Sequence, residues 1–285
     1  MGSLFDKLSD ARTQLEAAGA RPAEAAIDVD AYARTILGWD RATLLANQRD
    51  ASPECLEPQF SEWIARRRRR EPTAYILGSR EFWDRPFHVT PAVLVPRPET
   101  EFIVEESLPL ARRVVAPRIA DIGTGSGILA VTLAVELPAS TVVATDVSAD
   151  ALGVARANAI QHGVEHRVRF VETSYLDGVD GPFDLIVANP PYVKDGDGPA
   201  LSRDVGHEPE VALFGGPDGL RDLSGVLARA AVALSPGAWL VMEFGYGQEA
   251  DVRRLVATRP SLRLDHVRDD LQGIPRTAVI QRVPA

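Results

Sequence analysis

Apolar residues in the first seventy positions recur every three or four residues, which is the spacing of one face of an α-helix. Leu4 and Leu8 begin the first such face. A second helix is predicted between Pro22, which suits a first helical turn, and Gly38, which suits a helix end. A third helix is expected from Ser52-Pro53 onward, and no strand-like alternation interrupts the region. The pattern therefore predicts a small helical bundle.

The pattern changes to alternation near residue 80, where Phe82, Phe87 and Val89 are separated by polar or turn-forming residues. Such alternation predicts a β-hairpin. The apolar residues 93–95 and a proline-rich exit extend it, so we expect residues 76–98 to link two domains.

Short aliphatic runs with helix-like segments between them dominate the rest of the chain. Such runs are typical of buried parallel strands. The first four are predicted at residues 118–122, 141–146, 167–171 and 183–188. Alternation of strand and helix predicts an α/β fold, with a helical domain at 1–75, the hairpin linker at 76–98 and the sheet domain at 99–285.

Composition and charge narrow the class of protein. The 285 residues are 45% hydrophobic and 25% charged, which is typical of a globular chain with one large and one smaller domain. A formal net charge of -9 argues against sequence-blind binding to nucleic acid, which uses a basic face. The single cysteine, Cys55, supplies no disulfide or metal cluster, and no leader or long apolar span is seen. The protein is therefore predicted to be cytoplasmic, without a metal and without a membrane partner.

Five consecutive arginines, Arg66 to Arg70, end the third predicted helix. They could contact an anion such as an RNA or an acidic partner. Equally, they could form a solvated helix end whose cations oppose the negative end of the helix dipole. The sequence leaves both interpretations open.

A glycine-rich loop follows the first strand of the sheet domain. The strand carries Asp121, and the loop consists of Gly123, Thr124, Gly125, Ser126 and Gly127. Glycines let the backbone turn tightly and approach a ligand. The next strand ends at Asp146, about 20 residues on, where a carboxylate is expected to accept hydrogen bonds from ribose hydroxyls. The sequence thus predicts a cofactor that contains a nucleoside.

The spacing of the glycines distinguishes between such cofactors. A dinucleotide-binding fingerprint reads G-x-G-x-x-G, whereas this loop reads G-x-G-x-G. The shorter form fits a cofactor without a pyrophosphate, such as S-adenosylmethionine. Its ribose would lie at Asp146, its methionine part over the glycine loop near Asp121, and its adenine near Ser174 and Tyr175 after the third strand.

Asn189, Pro190, Pro191 and Tyr192 directly follow the fourth predicted strand. In open α/β sheets, ligands bind at the carboxyl ends of the strands. Two consecutive prolines keep this loop extended, so that it presents an amide carbonyl, a backbone carbonyl and an aromatic face to a planar group with an N–H₂. The alternative is a plain turn, because Asn-Pro is a common turn starter.

Together these motifs resemble the class I S-adenosylmethionine-dependent methyltransferases that methylate amino or amide nitrogens. Residues 72–78, 93–101 and 208–220 are also similar to the bacterial peptide chain release factor glutamine methyltransferases, the PrmC/HemK family. The similarity spans nearly the whole chain. It implies a Rossmann-like sheet of seven mostly parallel strands whose last strand is antiparallel. Apolar segments at 238–244, 262–264 and 277–280 match the last three strands.

The resemblance implies transfer of a methyl group from S-adenosylmethionine, which leaves S-adenosylhomocysteine, to the side-chain amide nitrogen of a glutamine. That glutamine belongs to the Gly-Gly-Gln motif of class 1 release factors, and no nucleic acid is expected to be required. Asn189, Pro190 and Tyr192 would be catalytic, and with Pro191 they would contact the acceptor. The helical domain at 1–75 would dock the substrate. The Asn189 and Pro190 carbonyls would accept the two amide N–H bonds, Tyr192 would stack on the amide plane, and Asn189 would also lie against the cofactor.

Other functions are compatible with parts of this pattern. Adenine-N6 methyltransferases share the tetrapeptide and act on a flipped base, but the acidic charge and the lack of a recognisable base-reading domain argue against them. A related subfamily methylates a glutamine of a ribosomal protein, and the amino-terminal domain and hairpin separate this chain from it. A binding module without turnover is the third alternative, against which the intact tetrapeptide argues.

Overall fold

The computed structural model describes residues 3–283, which form two compact units. The first unit consists of the chain as far as Gly78 together with Ser202–His207. The second consists of Ser79–Leu201 together with the chain from Glu208 onward. Within residues 3–283, no helix is both long enough and apolar enough to cross a membrane.

The first unit is helical, as predicted. Its helices are α1 (Leu4–Ala17), α2 (Pro22–Leu37), α3 (Arg41–Ala46), α4 (Gln59–Arg68) and α5 (Thr73–Leu77). Pro22 stands in the first turn of α2, and Gly38 ends that helix with a φ of 65°. Only a 3₁₀ turn, Glu54–Leu56, begins after Ser52-Pro53, so the expectation that the helix with Phe60, Trp63 and Ile64 begins there is wrong. Pro58 precedes α4, and because the residue before a proline avoids the helical region, Glu57 is extended and delays the helix to Gln59.

The core of this unit lies between the apolar faces of α1, α2 and α4. Leu8, Tyr32 and Ile64 are among its buried residues. Tyr32 and Trp63 meet edge to face with ring centroids 5.6 Å apart, which is a favourable aromatic geometry. The Tyr32 hydroxyl shares a hydrogen bond of 2.8 Å with Thr73, so α2 is also tied to α5.

The arginine run divides into structural and exposed members. Arg67 is buried and bridges Asp28 at 2.7 Å, Asp204 at 2.9 Å and also Glu24. Arg66 pairs with Glu71 at 2.5 Å, and Arg70 pairs with Asp204 at 2.7 Å. Arg68 and Arg69 have exposed side chains. Three of the arginines therefore hold the first unit together, through partners that include Asp204 of the inserted segment.

The predicted hairpin belongs to the second unit, as strands β1 (Ser79–Phe82) and β2 (Arg85–His88). Phe82 and Phe87 are buried in a hydrophobic core of the second unit, and their rings meet edge to face with centroids 6.1 Å apart. The hairpin ends earlier than expected, because residues 93–95 form a loop rather than a strand. Pro91 and Pro96 flank that loop and lack the N–H that a strand ladder needs.

The second unit contains a seven-stranded sheet, which confirms the predicted fold class. Its strands are β3 (Arg118–Ile122), β4 (Thr141–Asp146), β5 (Val168–Glu172), β6 (Phe183–Ala188), β7 (Leu234–Glu243), β8 (Leu262–Asp269) and β9 (Pro275–Arg282). Their order across the sheet is β5-β4-β3-β6-β7-β9-β8. The last strand, β9, is antiparallel to both of its neighbours, as predicted.

Helices cover both faces of the sheet. They are α6 (Glu101–Ala111), α7 (Ile128–Glu136), α8 (Ala149–Gln161), α9 (Arg221–Ala233) and α10 (Glu249–Ala257). Buried residues of α6, α7 and α8 form one core with one sheet face, and those of α9 and α10 form a second core with the other face. The central strands are therefore apolar on both sides, which is why their sequences are continuous aliphatic runs.

The sheet register brings three loops to one edge. Ile122 at the end of β3 pairs with Thr145 of β4 on one side and with Ala188 of β6 on the other. The next residues, Gly123, Asp146 and Asn189, therefore lie at one level beyond the carboxyl ends of the strands. The chain passes from β3 to β4 on one side and reaches β6 on the other, so this edge is a topological switch point, where open sheets bind ligands.

Candidate active site

The glycine loop after β3 contains two positions that favour glycine, one because of its backbone conformation and one because of a close contact. Gly125 has a φ of 55°, and its N–H donates to Asp146 Oδ2 at 2.9 Å. At Gly127, a Cβ atom would lie 3.0 Å from the Cβ of Ala155 on α8. Glycine at these two positions therefore permits both the turn and the close approach of α7 to α8.

Asp121 lies fully buried beneath this loop. Its Oδ2 accepts hydrogen bonds from the Thr124 hydroxyl at 2.6 Å and from the Ala130 N–H at 3.1 Å, whereas its Oδ1 has no partner among the described residues. Burial raises the pKa of Asp121 to about 7, the two hydrogen bonds oppose that rise, and the charge of Asp146 adds to it. A buried carboxylate with one unpaired oxygen is a suitable partner for a positively charged group of a ligand.

Asp146, at the end of β4, is hydrogen-bonded to the glycine loop and to the residue that precedes α8. Its Oδ1 accepts from the Ser148 N–H at 3.0 Å, in addition to the contact of Oδ2 with Gly125. Burial raises the pKa of Asp146 above its ordinary range, and backbone hydrogen bonds oppose the rise. Each carboxylate oxygen retains a lone pair, so the group can still accept from a diol.

Tyr175, after β5, has a backbone conformation that is uncommon for a side chain of its size, with a φ of 51°. The Thr145 hydroxyl donates to its carbonyl at 2.6 Å, and its own hydroxyl donates to Asp222 at 2.8 Å. These contacts fix Tyr175 on the wall of the cavity, beside the exposed Ser174.

Asn189 is held by a chain of hydrogen bonds that runs into the protein. Its Nδ2 donates to the Thr100 hydroxyl at 2.9 Å, and that hydroxyl donates to Glu243 Oε2 at 2.8 Å. Glu243 is buried at the end of β7, and burial raises the pKa of its carboxyl to about 7. The Asn189 side chain lines the pocket with its nitrogen engaged, so its carbonyl oxygen is the group left to meet a ligand.

Tyr192 is partly exposed and is held by hydrogen bonds at its hydroxyl and at its carbonyl. Its hydroxyl donates to Glu243 Oε1 at 3.1 Å, and its carbonyl accepts from Gln248 Nε2 at 3.0 Å. The ring packs against the second core, where burial and the neighbouring Glu243 raise the pKa of the phenol. Tyr192 is therefore a hydrogen-bond partner of the buried Glu243.

A pocket of the second unit brings together ten of the predicted site residues. They are Gly123, Thr124, Gly125, Ser126, Asp146, Ser174, Tyr175, Asn189, Pro190 and Pro191. Asp121, Gly127 and Tyr192 do not line it. Within residues 3–283, no group of acidic, histidine or cysteine side chains is arranged to hold a metal ion.

Part of the pocket lining, the segment after Glu208, was not predicted from the sequence. Glu208 is buried, and its carboxylate accepts from Arg97 at 2.6 Å and from the Val95 N–H at 3.1 Å. These contacts fix the segment after Glu208, of which Pro209 and Val211 line the pocket. Arg97 and Glu208 lie in segments 93–101 and 208–220, which the sequence linked to a protein family but to no structural role.

Thr100 and Glu243 are two further residues of the site that were not predicted from the sequence. One signal was present: Glu243 ends an apolar strand at the same sheet edge as Asp146, and a carboxylate in that position is a candidate ligand group. No comparable signal identified Thr100, which lies 89 residues from Asn189 and 143 residues from Glu243 in the chain.

Two family models match this chain. Residues 6–78 match the PrmC N-terminal domain, and residues 100–208 match the methyltransferase small domain. Each match falls mainly within one of the two compact units.

Similar proteins cover nearly the same length. A release factor glutamine methyltransferase of Bradyrhizobium diazoefficiens is 42% identical over 92% of this chain and 89% of its own. Another, of Bordetella pertussis, is 41% identical over 86% of this chain and 90% of its own. Among solved structures, a methyltransferase from Pyrococcus furiosus has a TM-score of 0.51 over 70% of this chain and 89% of its own, at 19% identity, which shows a likeness of fold.

Proposed function

Because this chain belongs to the family of release factor glutamine methyltransferases, we propose that it methylates a glutamine side chain of a class 1 release factor. The methyl group would come from S-adenosylmethionine and go to the amide nitrogen of the glutamine in the Gly-Gly-Gln motif. The observation that carries the proposed reaction is the orientation of Asn189, whose nitrogen is engaged by Thr100 while the side chain lines the pocket.

The pocket fits S-adenosylmethionine in its polar groups. Asp121 does not line the pocket, but its unpaired Oδ1 lies beneath the glycine loop, where its negative charge would favour the ammonium of the methionine part above it. Asp146 suits the ribose hydroxyls, and Ser174 and Tyr175 suit the adenine. When bound, the cofactor supplies an activated methyl group on its sulfonium.

The residues after β6 would orient the acceptor amide. An amide nitrogen is a weak nucleophile because its lone pair is delocalised into the carbonyl. Asn189 Oδ1 and the Pro190 carbonyl can accept its two N–H bonds and thereby turn the remaining lone-pair direction towards the methyl group. Hydrogen bonds to a group that becomes positive contribute about 1.5–3 kcal/mol each, so two of them would supply on the order of 10² to 10⁴ in rate.

The other members of the tetrapeptide have supporting roles in this proposal. Pro191 would hold the loop extended, and Tyr192, whose hydroxyl donates to Glu243, would stack its partly exposed ring on the acceptor amide and exclude water. Asn189 would lie between cofactor and acceptor. The product nitrogen is acidic enough to lose its proton to water, so no side chain is required as a base.

A preference for Gly-Gly-Gln would follow from the position of Asn189, which is partly buried in the lining of the pocket. Glycines beside the glutamine would let the substrate backbone approach where larger residues would clash. The relatives whose names specify release factors cover about nine-tenths of their own length in the comparison, which supports carrying the substrate over to this chain.

The test is transfer of a labelled methyl group from S-adenosylmethionine to a purified class 1 release factor. Mass spectrometry should find a single added methyl on the glutamine of Gly-Gly-Gln and none on a release factor in which that glutamine is replaced by alanine. A ribosomal protein and double-stranded DNA serve as alternative acceptors. Label in DNA adenine, or transfer that does not depend on the glutamine, would contradict the proposal.

A further inference from the structure

We propose that Thr100 and Glu243 are positioning residues that set the orientation of the Asn189 amide, so that its oxygen rather than its N–H₂ meets the acceptor nitrogen. The inference rests on the proposed function, in which Asn189 must accept. It assigns a role to two buried side chains that do not themselves touch the reacting atoms.

The need for such a device follows from the shape of an asparagine side chain. Its oxygen and nitrogen are nearly equal in size, so a half-turn of the amide exchanges an acceptor for a pair of donors. The acceptor glutamine presents an N–H₂ to this site. An Asn189 turned the wrong way would place donors against donors, so the orientation decides whether the site can work.

The hydrogen bonds impose one direction, beginning at the buried charge. A carboxylate can only accept, so the Thr100 hydroxyl must direct its single hydrogen to Glu243 Oε2, 2.8 Å away. The Thr100 oxygen can then only accept, and its partner at 2.9 Å must be the N–H₂ of Asn189. Thr100 is 0% exposed and Glu243 is 1% exposed, so water does not compete for these bonds.

The second oxygen of Glu243 reinforces this direction. When Glu243 is ionised, this oxygen accepts from the Tyr192 hydroxyl at 3.1 Å, so both carboxylate oxygens act as acceptors. Protonation of Glu243 would remove the constraint, because the carboxyl could donate to Thr100 and the Thr100 hydroxyl could then turn to the Asn189 oxygen. The orientation is therefore coupled to the charge of Glu243.

Several groups around Glu243 influence that charge. Burial raises its pKa to about 7; the hydrogen bonds from Thr100 and Tyr192 and the charge of Arg276 oppose the rise, and the charge of Glu99 adds to it. Turnover should accordingly fall on the acid side of neutrality, at saturating cofactor and acceptor, as Glu243 takes up a proton.

The experiment compares Thr100→Val, which keeps the shape and removes the hydroxyl, with Thr100→Ser, which keeps the hydroxyl. We expect Thr100→Val to lower kcat at least about tenfold, which corresponds to about 1.4 kcal/mol, with unchanged affinity for S-adenosylhomocysteine. Thr100→Ser should stay within about threefold of the wild type. In the Asn189→Ala background, Thr100→Val should have little further effect, because Thr100 acts through Asn189.

Glu243→Gln supplies a second measurement that does not depend on the stability of the valine variant. Its side chain does not titrate, so the acid limb of the kcat profile should disappear. Three results would overturn the inference: an unchanged kcat in Thr100→Val, an equal loss in Thr100→Ser, or an acid limb that persists in Glu243→Gln.

Hydrogen exchange of the Asn189 side chain can be measured without a methyl acceptor, so it tests this inference separately from the proposed function. The Asn189 side-chain N–H₂ should exchange slowly with solvent in the wild type and in Thr100→Ser, and faster in Thr100→Val, as measured by NMR. A wild-type protein that methylates no glutamine would contradict the proposed function alone. Equal exchange in all three proteins would contradict the positioning chain alone.

Discussion

At the scale of single residues, the site depends on two buried carboxylates with different environments. Asp121 keeps one oxygen unpaired beneath the glycine loop, whereas both oxygens of Glu243 accept hydrogen bonds from neighbouring side chains. Burial raises both pKa values to about 7. Their effects should therefore appear in different measurements, cofactor binding for Asp121 and turnover for Glu243.

The first prediction concerns Asn189. In the proposed mechanism Asn189→Ala would remove an acceptor whose contact strengthens mainly in the transition state, so kcat should fall at least about a hundredfold while affinity for S-adenosylmethionine changes little. Asn47→Ala, the same change in the first unit, is the matched control and should leave kcat unaltered. Steady-state kinetics and calorimetry measure both quantities, and a near-normal kcat in Asn189→Ala would remove the residue from the mechanism.

The second prediction is a pH dependence of cofactor binding. In the proposed binding mode the ammonium of the ligand would favour the ionised form of the buried Asp121, whose pKa in the free protein is raised to about 7 by burial. Affinity for S-adenosylhomocysteine should be highest above pH 7 and should weaken, by up to about tenfold per pH unit, as the pH falls below it. Asp121→Asn should bind more weakly at high pH and with a flatter profile. Titration calorimetry between pH 5.5 and 8 tests this, and a flat wild-type profile would contradict it.

The positions of Thr100 and Asn189 explain what the sequence could and could not indicate at this scale. Asn189 follows an aliphatic strand directly, so its place at the sheet edge could be predicted from local pattern alone. The partner that orients it is 89 residues away, and sequence spacing carries no signal for such a contact. The binding roles of the site residues stay predictions.

At the scale of elements, the strands that are buried on both faces were the easiest to predict. The bounds of β3, β4 and β6 agree with their aliphatic runs. The edge strand β8 extends to Asp269 instead of ending at residue 264, because it alternates exposed polar residues with partly buried ones and therefore has no continuous apolar run. β7 begins at Leu234, four residues before the apolar segment 238–244 that was predicted for it.

The loop between β6 and α9 leads to the third prediction. The buried carboxylate of Glu208 holds the Val95 N–H and Arg97, and its removal leaves that N–H without its charged acceptor. Since such a bond contributes about 1.5–3 kcal/mol, Glu208→Ala should speed hydrogen exchange of the Val95 amide at least about tenfold.

Glu210→Ala is the matched control for this loop, because Glu210 is exposed and only two residues away. Exchange of the Val95 amide should be the same in this variant as in the wild type. Mass spectrometry of peptides that contain residues 92–97 measures the rate. Equal rates in both variants would show that Glu208 does not anchor the segment.

At the scale of the whole molecule, the class of fold and the family followed from motifs spread along the chain, and both are confirmed. The helical first unit was also predicted, although α3 was missed, because that helix has only six residues and lies in a polar stretch. The extent of the first unit could not be predicted, since Ser202–His207 joins it through side-chain contacts of Asp204 with Arg67 and Arg70.

The fourth prediction concerns the stability of the protein against pH. The pKa of Glu243 is raised from about 4.5 to about 7, so between these values the folded state holds a proton that the unfolded state has lost. Its contribution to the free energy of unfolding is full below pH 4.5 and is lost as the pH rises towards 7.

The variant Glu243→Gln lacks this titration. Its stability relative to the wild type should therefore rise between pH 5 and 7 and then level off, as measured by urea denaturation without ligand. Glu210→Gln, in which an exposed carboxylate is changed, should follow the wild type across the range. A difference between Glu243→Gln and the wild type that is constant with pH would contradict the assignment of the raised pKa.

The inserted segment Ser202–His207 determines how this protein can be recombined with its relatives. A chimaeric gene with a single crossover after Gly78 would take Arg67 and Arg70 from one parent protein and the residue at position 204 from the other. The two ion pairs would then form only if the second parent also has an acidic residue at position 204. The first unit is thus encoded in two separate stretches of the gene. A functional chimaera should exchange both stretches together, with breakpoints after Gly78 and on either side of residues 202–207.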